Sequence, residues 1–208
     1  MIDFTNALEE LNSYKGSEKK KTLIYNNKKY LVKFPDPVRE KNKNISYINN
    51  AFSEYIGSNI FKICGFKVQN TILGKYNYNG KEKIVCACED FTNIDNILYE
   101  FENLALSTNL DKKIETELKN LAINCYSCLK EEGKKINYMA YIKQMKNKEC
   151  NNAIKRLFLN INMDTINKFI DNVEGMSLVR KEFYKRILEK RYEILKEVYE
   201  NITRGFLE

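Results

Sequence analysis

The chain has 208 residues, 43% hydrophobic and 30% charged, which suits one large domain or two small lobes and excludes a disordered or fibrous protein. It contains no histidine, which excludes a Ser-His-Asp triad, a Cys-His dyad, an H-E-x-x-H zinc site and a Cys2His2 finger. The formal charge of +7 licenses weak attraction to phosphates. Six arginines scattered from Arg39 to Arg204 lack the clustered footprint of a nucleic-acid interface, so no nucleic-acid partner is expected.

No apolar run approaches the roughly 20 residues of a membrane span, and the opening Met1-Ile2-Asp3-Phe4-Thr5 has no basic or apolar signal region. A cytoplasmic protein without a membrane partner is the expectation. Two β-rich runs, 21–25 and 30–34, flank Asn26-Asn27-Lys28 and predict a hairpin ended by Pro35 and Pro37. A polar loop over 39–46 precedes a helix over 47–64. Its Ile48, Ala51, Phe52, Tyr55, Ile56 and Ile60 share one face, and Gly65 closes it. Strands are predicted over 66–76 and 82–88, joined through Asn79-Gly80, a strong hairpin signal.

After about residue 95 the pattern turns helical. Helices are predicted over 94–106, 110–129, 138–145, 151–159 and 163–173, with a turn at Gly133. A last helix follows the N-cap Ser177, with Val179, Phe183, Ile187, Leu188, Ile194, Leu195, Val198 and Ile202 at 3.6-residue spacing and a Glu182–Arg186 pair. The expected fold is α+β: a small lobe over 1–94 with an antiparallel sheet and one helix, then an all-helical lobe over 95–208.

Six cysteines include Cys86-Ala87-Cys88 and Cys125-Tyr126-Ser127-Cys128. Four thiolates on zinc are one reading. The first pair lies in a strand-like run and the second in a helix-like run, whereas structural zinc pairs sit on turns. Buried free thiols without metal are therefore the expectation.

The order of hairpin, helix and two further strands matches a kinase small lobe. There, a strand lysine holds the nucleotide α- and β-phosphates, a helix glutamate holds the lysine, and the last strand leads into a hinge that bonds adenine. Lys33, Glu54 and Cys88-Glu89-Asp90-Phe91 occupy those places. Spacing alone favours an ordinary surface lysine and glutamate.

The motifs go further. Lys29-Tyr30-Leu31-Val32-Lys33-Phe34-Pro35, Ala51-Phe52-Ser53-Glu54-Tyr55, Phe66-Lys67-Val68-Gln69-Asn70-Thr71, Leu73-Gly74 and Cys88-Glu89-Asp90-Phe91 resemble the HipA-like serine/threonine kinases, and within them the short proinflammatory kinases. Lys134-Lys135-Ile136-Asn137-Tyr138, Asn147-Lys148-Glu149-Cys150, Ile170-Asp171-Asn172 and Met176-Ser177 resemble the last helices of that branch. The resemblance covers about 20–93 and 112–204. It implies ATP as ligand, a phosphate loop with Gly16 and Ser17, a nucleotide lysine at Lys33 held by Glu54, and a hinge at Glu89, Asp90 and Phe91.

Members of that family carry a catalytic loop with Asp-Arg-His and a downstream Asn, then an Asp-Cys-Gly segment with a metal-binding aspartate. This chain has none of these, and only about forty residues, read as plain helix, separate Phe91 from Lys134. The loop Tyr14-Lys15-Gly16-Ser17-Glu18-Lys19 keeps one glycine, so fewer backbone N–H groups can approach phosphates. Glu18 adds unfavourable charge there, offset by Lys19, Lys20 and Lys21.

The acids Asp95, Asp111, Asp164 and Asp171 read as solvated helix carboxylates, so no catalytic residue and no metal ligand is assigned. ATP is expected to bind weakly or not at all, and Mg²⁺ not without a partner chain. The resulting expectation is a catalytically incomplete, pseudokinase-like nucleotide-binding or regulatory protein with a protein partner. The alternatives are a functional serine/threonine kinase, half of a split kinase, or a helical interaction module without a nucleotide site.

Overall fold

The computed structural model describes residues 1–11, 19–35, 50–92, 95, 130–131, 134–135 and 137–204. The predicted phosphate loop with Gly16 and Ser17, the loop over 39–46, the helix over 94–106 apart from Asp95, the helix over 110–129, the Gly133 turn, Asp111, Cys125 and Cys128 lie outside the described residues.

Six strands form one mixed sheet. In chain order they are β1 (Ile2–Asp3), β2 (Leu8–Glu10), β3 (Lys20–Tyr25), β4 (Lys28–Lys33), β5 (Thr71–Tyr78) and β6 (Lys81–Glu89). Their spatial order is β1-β5-β6-β4-β3-β2. Only β1 runs parallel to its neighbour β5; the other pairings are antiparallel. Helix α1 (Asn50–Ile63) packs on this sheet. A two-stranded pair, β7 (Lys130–Glu131) with β8 (Lys134–Lys135), precedes α2 (Tyr138–Lys143), α3 (Lys148–Phe158), α4 (Met163–Asp171) and α5 (Leu178–Arg204). The class is α+β, as expected from the sequence, but the lobe after residue 95 is not all-helical, since it holds β7 and β8, and the sheet is not wholly antiparallel, since β1 runs parallel to β5. No helix among the described residues is long and apolar enough to cross a membrane.

Two tight turns set the register. Asn26 and Asn27 both take positive φ, 47° and 60°, joining β3 to β4 in two residues. Asn79 (φ 51°) and Gly80 (φ 77°) do the same between β5 and β6. Positive φ at both central residues is the turn geometry whose twist suits a hairpin. Gly80→Ala should therefore destabilise the protein by about 1 kcal/mol, read as a lowered urea midpoint with an unchanged slope.

The chain divides into two compact units, one made of Met1–Phe91 and Leu159–Arg191 and the other of Thr92–Phe158 and Tyr192–Glu208. The first unit holds the sheet and two cores. On one face, alternating strand residues Leu23, Tyr30, Val32, Val85 and Ala87 bury against Phe4, Phe34 and Tyr76. On the other, Leu73, Cys86 and Cys88 bury against Ala51, Phe52 and Ile56 of α1, with Val173 and Met176 from the segment after α4. The predicted inward face of α1 is the observed one over its described positions, and Gly65 (φ 83°) follows the helix end as anticipated. In the second unit, Ile154 of α3 packs with Val198 and Ile202 of α5, and Phe158 stacks on Tyr192 and Tyr199.

Three local expectations need correction. The strand predicted from residue 66 begins at Thr71. The backbone of the preceding segment bonds α1 and the end of β6 instead: Ser58 Oγ donates to the Gln69 carbonyl, and Glu89 N to the Asn70 carbonyl. In α5, Val179 and Phe183 are 82% and 58% exposed. One residue further on, Tyr184 packs on the sheet-lobe core, so only the first turns depart from the predicted stripe, whose Val198 and Ile202 are buried. Glu182 pairs with Lys185 at 2.6 Å, a turn position that Lys185 reaches while also bonding Asp171, in place of the anticipated Arg186.

Candidate nucleotide site

Lys33 ends β4 and stands opposite Cys86 of β6, while Leu31 stands opposite Cys88. Cross-strand partners share a face, so Lys33 projects to the side on which α1 packs. Glu54 lies one turn into α1, near enough to that face for its Oε1 to accept a hydrogen bond from Lys33 Nζ at 2.7 Å. Both side chains are 29% exposed, so the pair opens on solvent while its stems pack inside. This is the arrangement expected from the sequence, in which separation along the chain carried no such contact.

β6 descends from Cys86 to Glu89, three residues or about 10 Å along a strand. The strand end is tightly tied. Glu89 N donates to the Asn70 carbonyl and Asp90 N to the Lys29 carbonyl, each at 2.8 Å. The Glu89 carbonyl accepts Gln69 Nε2 at 3.0 Å, and its carboxylate pairs with Lys28 at 2.7 Å. A carbonyl oxygen keeps a second lone pair after one hydrogen bond. Beside this strand end, Lys67, Val68, Gln69, Asn70, Glu89, Asp90 and Phe91 line a cavity of about 470 Å³. Phe91 is exposed. Lys33 with Glu54 and the Glu89–Phe91 segment therefore sit at two stations along one strand pair, the separation a nucleotide spans between its phosphates and its base.

The connection from β2 to β3 carries Gly16 and Ser17, outside the described residues. Two of the lysines read as offsetting Glu18 are engaged elsewhere: Lys21 pairs with Glu9, and the Lys19 ammonium sits 3.3 Å from the Tyr78 ring centroid. Asp171 accepts a hydrogen bond from Lys185 at 3.0 Å, a surface ion pair in keeping with the solvated-carboxylate reading.

Sequence reasoning missed what lies next to the ion pair. Cys86 and Cys88 are both buried, and a ligand atom from each lies within 4.8 Å of the other and of a Glu54 carboxylate oxygen. The hydrogen bond shared with Cys88, then burial, pushes the Cys86 thiol up, and the same hydrogen bond draws Cys88 down. Among the described residues Cys64, Cys86, Cys88 and Cys150 are free thiols. A two-residue strand period was visible in C-x-C, but nothing in the sequence placed a helix carboxylate over it.

A sheet with one helix, a strand lysine held by a helix glutamate and a last strand running into a tied-down hinge defines the small lobe of a protein-kinase fold. No family profile matches the chain. It is 29% identical to the serine/threonine-protein kinase CtkA of Helicobacter pylori strain J99, over 91% of this chain and 85% of that protein. The alignment extends over 282 positions, more than the 208 residues present here, so the relative carries stretches without a counterpart in this chain. The crystal structure of a Helicobacter pylori proinflammatory kinase CtkA superposes with a TM-score of 0.79 at 25% identity, covering 100% of this chain and 99% of that one. In sequence and in fold, the chain is similar to CtkA, and its fold is kinase-like.

Proposed function

We propose that the chain is a catalytically incomplete, pseudokinase-like protein that binds ATP at the sheet lobe and regulates a protein partner in the cytoplasm. The observation that carries this reading is the Lys33–Glu54 pair at 2.7 Å in a chain without any Asp-x-x-x-x-Asn catalytic loop after the hinge. A half-exposed ammonium fixed by a carboxylate fits the α- and β-phosphates of a nucleotide. Lys33 would hold those phosphates and Glu54 would orient Lys33. Glu89, Asp90 and Phe91 would face the base, and Gly16 and Ser17 would cover the phosphate chain. When bound, ATP supplies the polyanion that the lysine recognises, and its γ-phosphoryl is what complete kinases transfer. On this reading Mg²⁺ ligands would come from a partner chain, and Asp171 is paired with Lys185.

A thermal-shift titration with ATP, with and without Mg²⁺, tests the reading. A ligand at a hundredfold excess over Kd adds about 2.7 kcal/mol to the folded state, a rise in Tm of roughly 5–10 °C for a protein of this size. Lys33→Ala should remove the rise without lowering the unliganded Tm by more than about 2 °C, because a solvent-facing ion pair contributes little to stability. No rise in the parent protein would discard the nucleotide site and leave a helical interaction module as the better reading.

A further inference from the structure

The alternation of a strand sends Cys86 and Cys88 to one face of β6, where both are at least nine-tenths buried against α1. Glu54 completes a group of three donors whose ligand atoms all lie within 4.8 Å of one another. Its two oxygens differ. Oε1 accepts from Lys33, whereas Oε2 is buried with no hydrogen-bond partner. A carboxylate oxygen withdrawn from water without a partner is unfavourable in a fold, and a cation at the sulfurs would relieve it.

We propose that Glu54, Cys86 and Cys88 form a binding site for one thiophilic divalent cation of the zinc type, with Lys33 steadying Glu54 from behind. Zinc accepts thiolate at about 2.3 Å and carboxylate at about 2.0–2.2 Å in tetrahedral geometry, so its donors stand roughly 3.5–3.8 Å apart. The observed spread is within about an ångström of that, a change side-chain rotation supplies. Two sulfurs and one carboxylate favour zinc-like ions over magnesium or calcium, which take oxygen ligands. A ligating carboxylate is normally hydrogen-bonded through its other oxygen, the position Lys33 holds.

Charge balance favours the site as well. Binding displaces one proton from each thiol, so a dication enters as two protons leave, and the buried group of Lys33, Glu54 and the two cysteines keeps its net charge. Three protein donors leave a fourth position open. The site stands on these residues alone and does not require the nucleotide reading.

Reduced, metal-free full-length protein titrated with Cd²⁺ provides the test, read by the ultraviolet thiolate-to-metal charge-transfer band and by competition with Zn²⁺. One ion per chain is expected. Cys88→Ala and Glu54→Gln should each weaken binding more than tenfold, while Cys125→Ser/Cys128→Ser and Cys64→Ser should bind as the parent does. Cys86→Ser places a hydroxyl in a fully buried position, so the less disruptive Cys88→Ala and Glu54→Gln carry the result, each with a melting curve recorded without metal. Absence of the band at equimolar Cd²⁺ would overturn the proposal. So would a band unchanged in Cys88→Ala and Glu54→Gln, or one lost in Cys125→Ser/Cys128→Ser.

Discussion

Purified protein incubated with radiolabelled ATP and Mg²⁺ or Mn²⁺ is expected to incorporate no phosphate above the level of its Lys33→Ala variant. Phosphoryl transfer rests on positioning and on stabilising charge at the transferring group. A positioned general base contributes about 10²–10⁴-fold, and one missing electrostatic stabiliser costs about 10²–10³-fold. The chain has no Asp-Arg pair, no Asp-Cys-Gly segment and no histidine, so on the proposed reading base and metal ligand are lost together. Groups that act as a unit do not combine additively, yet loss of the general base by itself lowers the rate by up to about 10⁴-fold. Lys33 still offers phosphate a partner, but holding ground and transition states equally does not speed the chemical step. Incorporation at Ser17 or a neighbouring serine that vanishes in Lys33→Ala would reverse this conclusion. It would mean that a carboxylate in the helical half performs the catalytic role.

The second large effect belongs to the amino-terminal segment. Phe4→Ala is expected to destabilise the protein by about 3–5 kcal/mol, a fall in Tm on the order of 10 °C, read by calorimetry or circular dichroism. Phe4 is fully buried and meets Tyr25 and Tyr30 edge-on at 5.3 and 5.6 Å between centroids. Its ring lies directly over Gly74, where an added Cβ would stand 2.5 Å from it and 2.9 Å from the Ile2 carbonyl. The contact is part of the pairing of β1 with β5, in which Ile2 stands opposite Gly74 and Phe4 N donates to the Lys75 carbonyl. Gly74→Ala should for the same reason cost about 1–3 kcal/mol, since the backbone of β1 cannot yield as a side chain does. If Phe4→Ala costs less than about 1 kcal/mol, the first strand is not part of the cooperative core.

Much of the sheet lobe was legible in the amino-acid order because its signals are local. Asn26-Asn27 and Asn79-Gly80 accept positive φ, so the two hairpins announce themselves within four residues. The apolar spacing of α1 and the glycine that follows it are equally short-range. The Lys33–Glu54 contact was anticipated through the order of the motifs. β1 and β2 were not foreseen: two and three residues are too few to show an alternation, and they form only because β5 and β3 are there to pair with them.

The sequence by itself thus determined the α+β class, both hairpins, the helix with Glu54, the long last helix and the absence of histidine-based and family-type catalytic motifs. Only the tertiary structure decided three other matters. It brought residues 159–191 into one compact unit with the sheet, turned Tyr184 rather than Phe183 toward the core, and placed a carboxylate of α1 beside two thiols of β6. The physical reason is range. Turns and periodic faces follow from backbone sterics and from burial between near neighbours, whereas a Glu54–Cys86–Cys88 cluster depends on the register of β4 against β6 and on how α1 seats on that pair. Those are set by the packing of the whole lobe, which no local stretch of residues encodes.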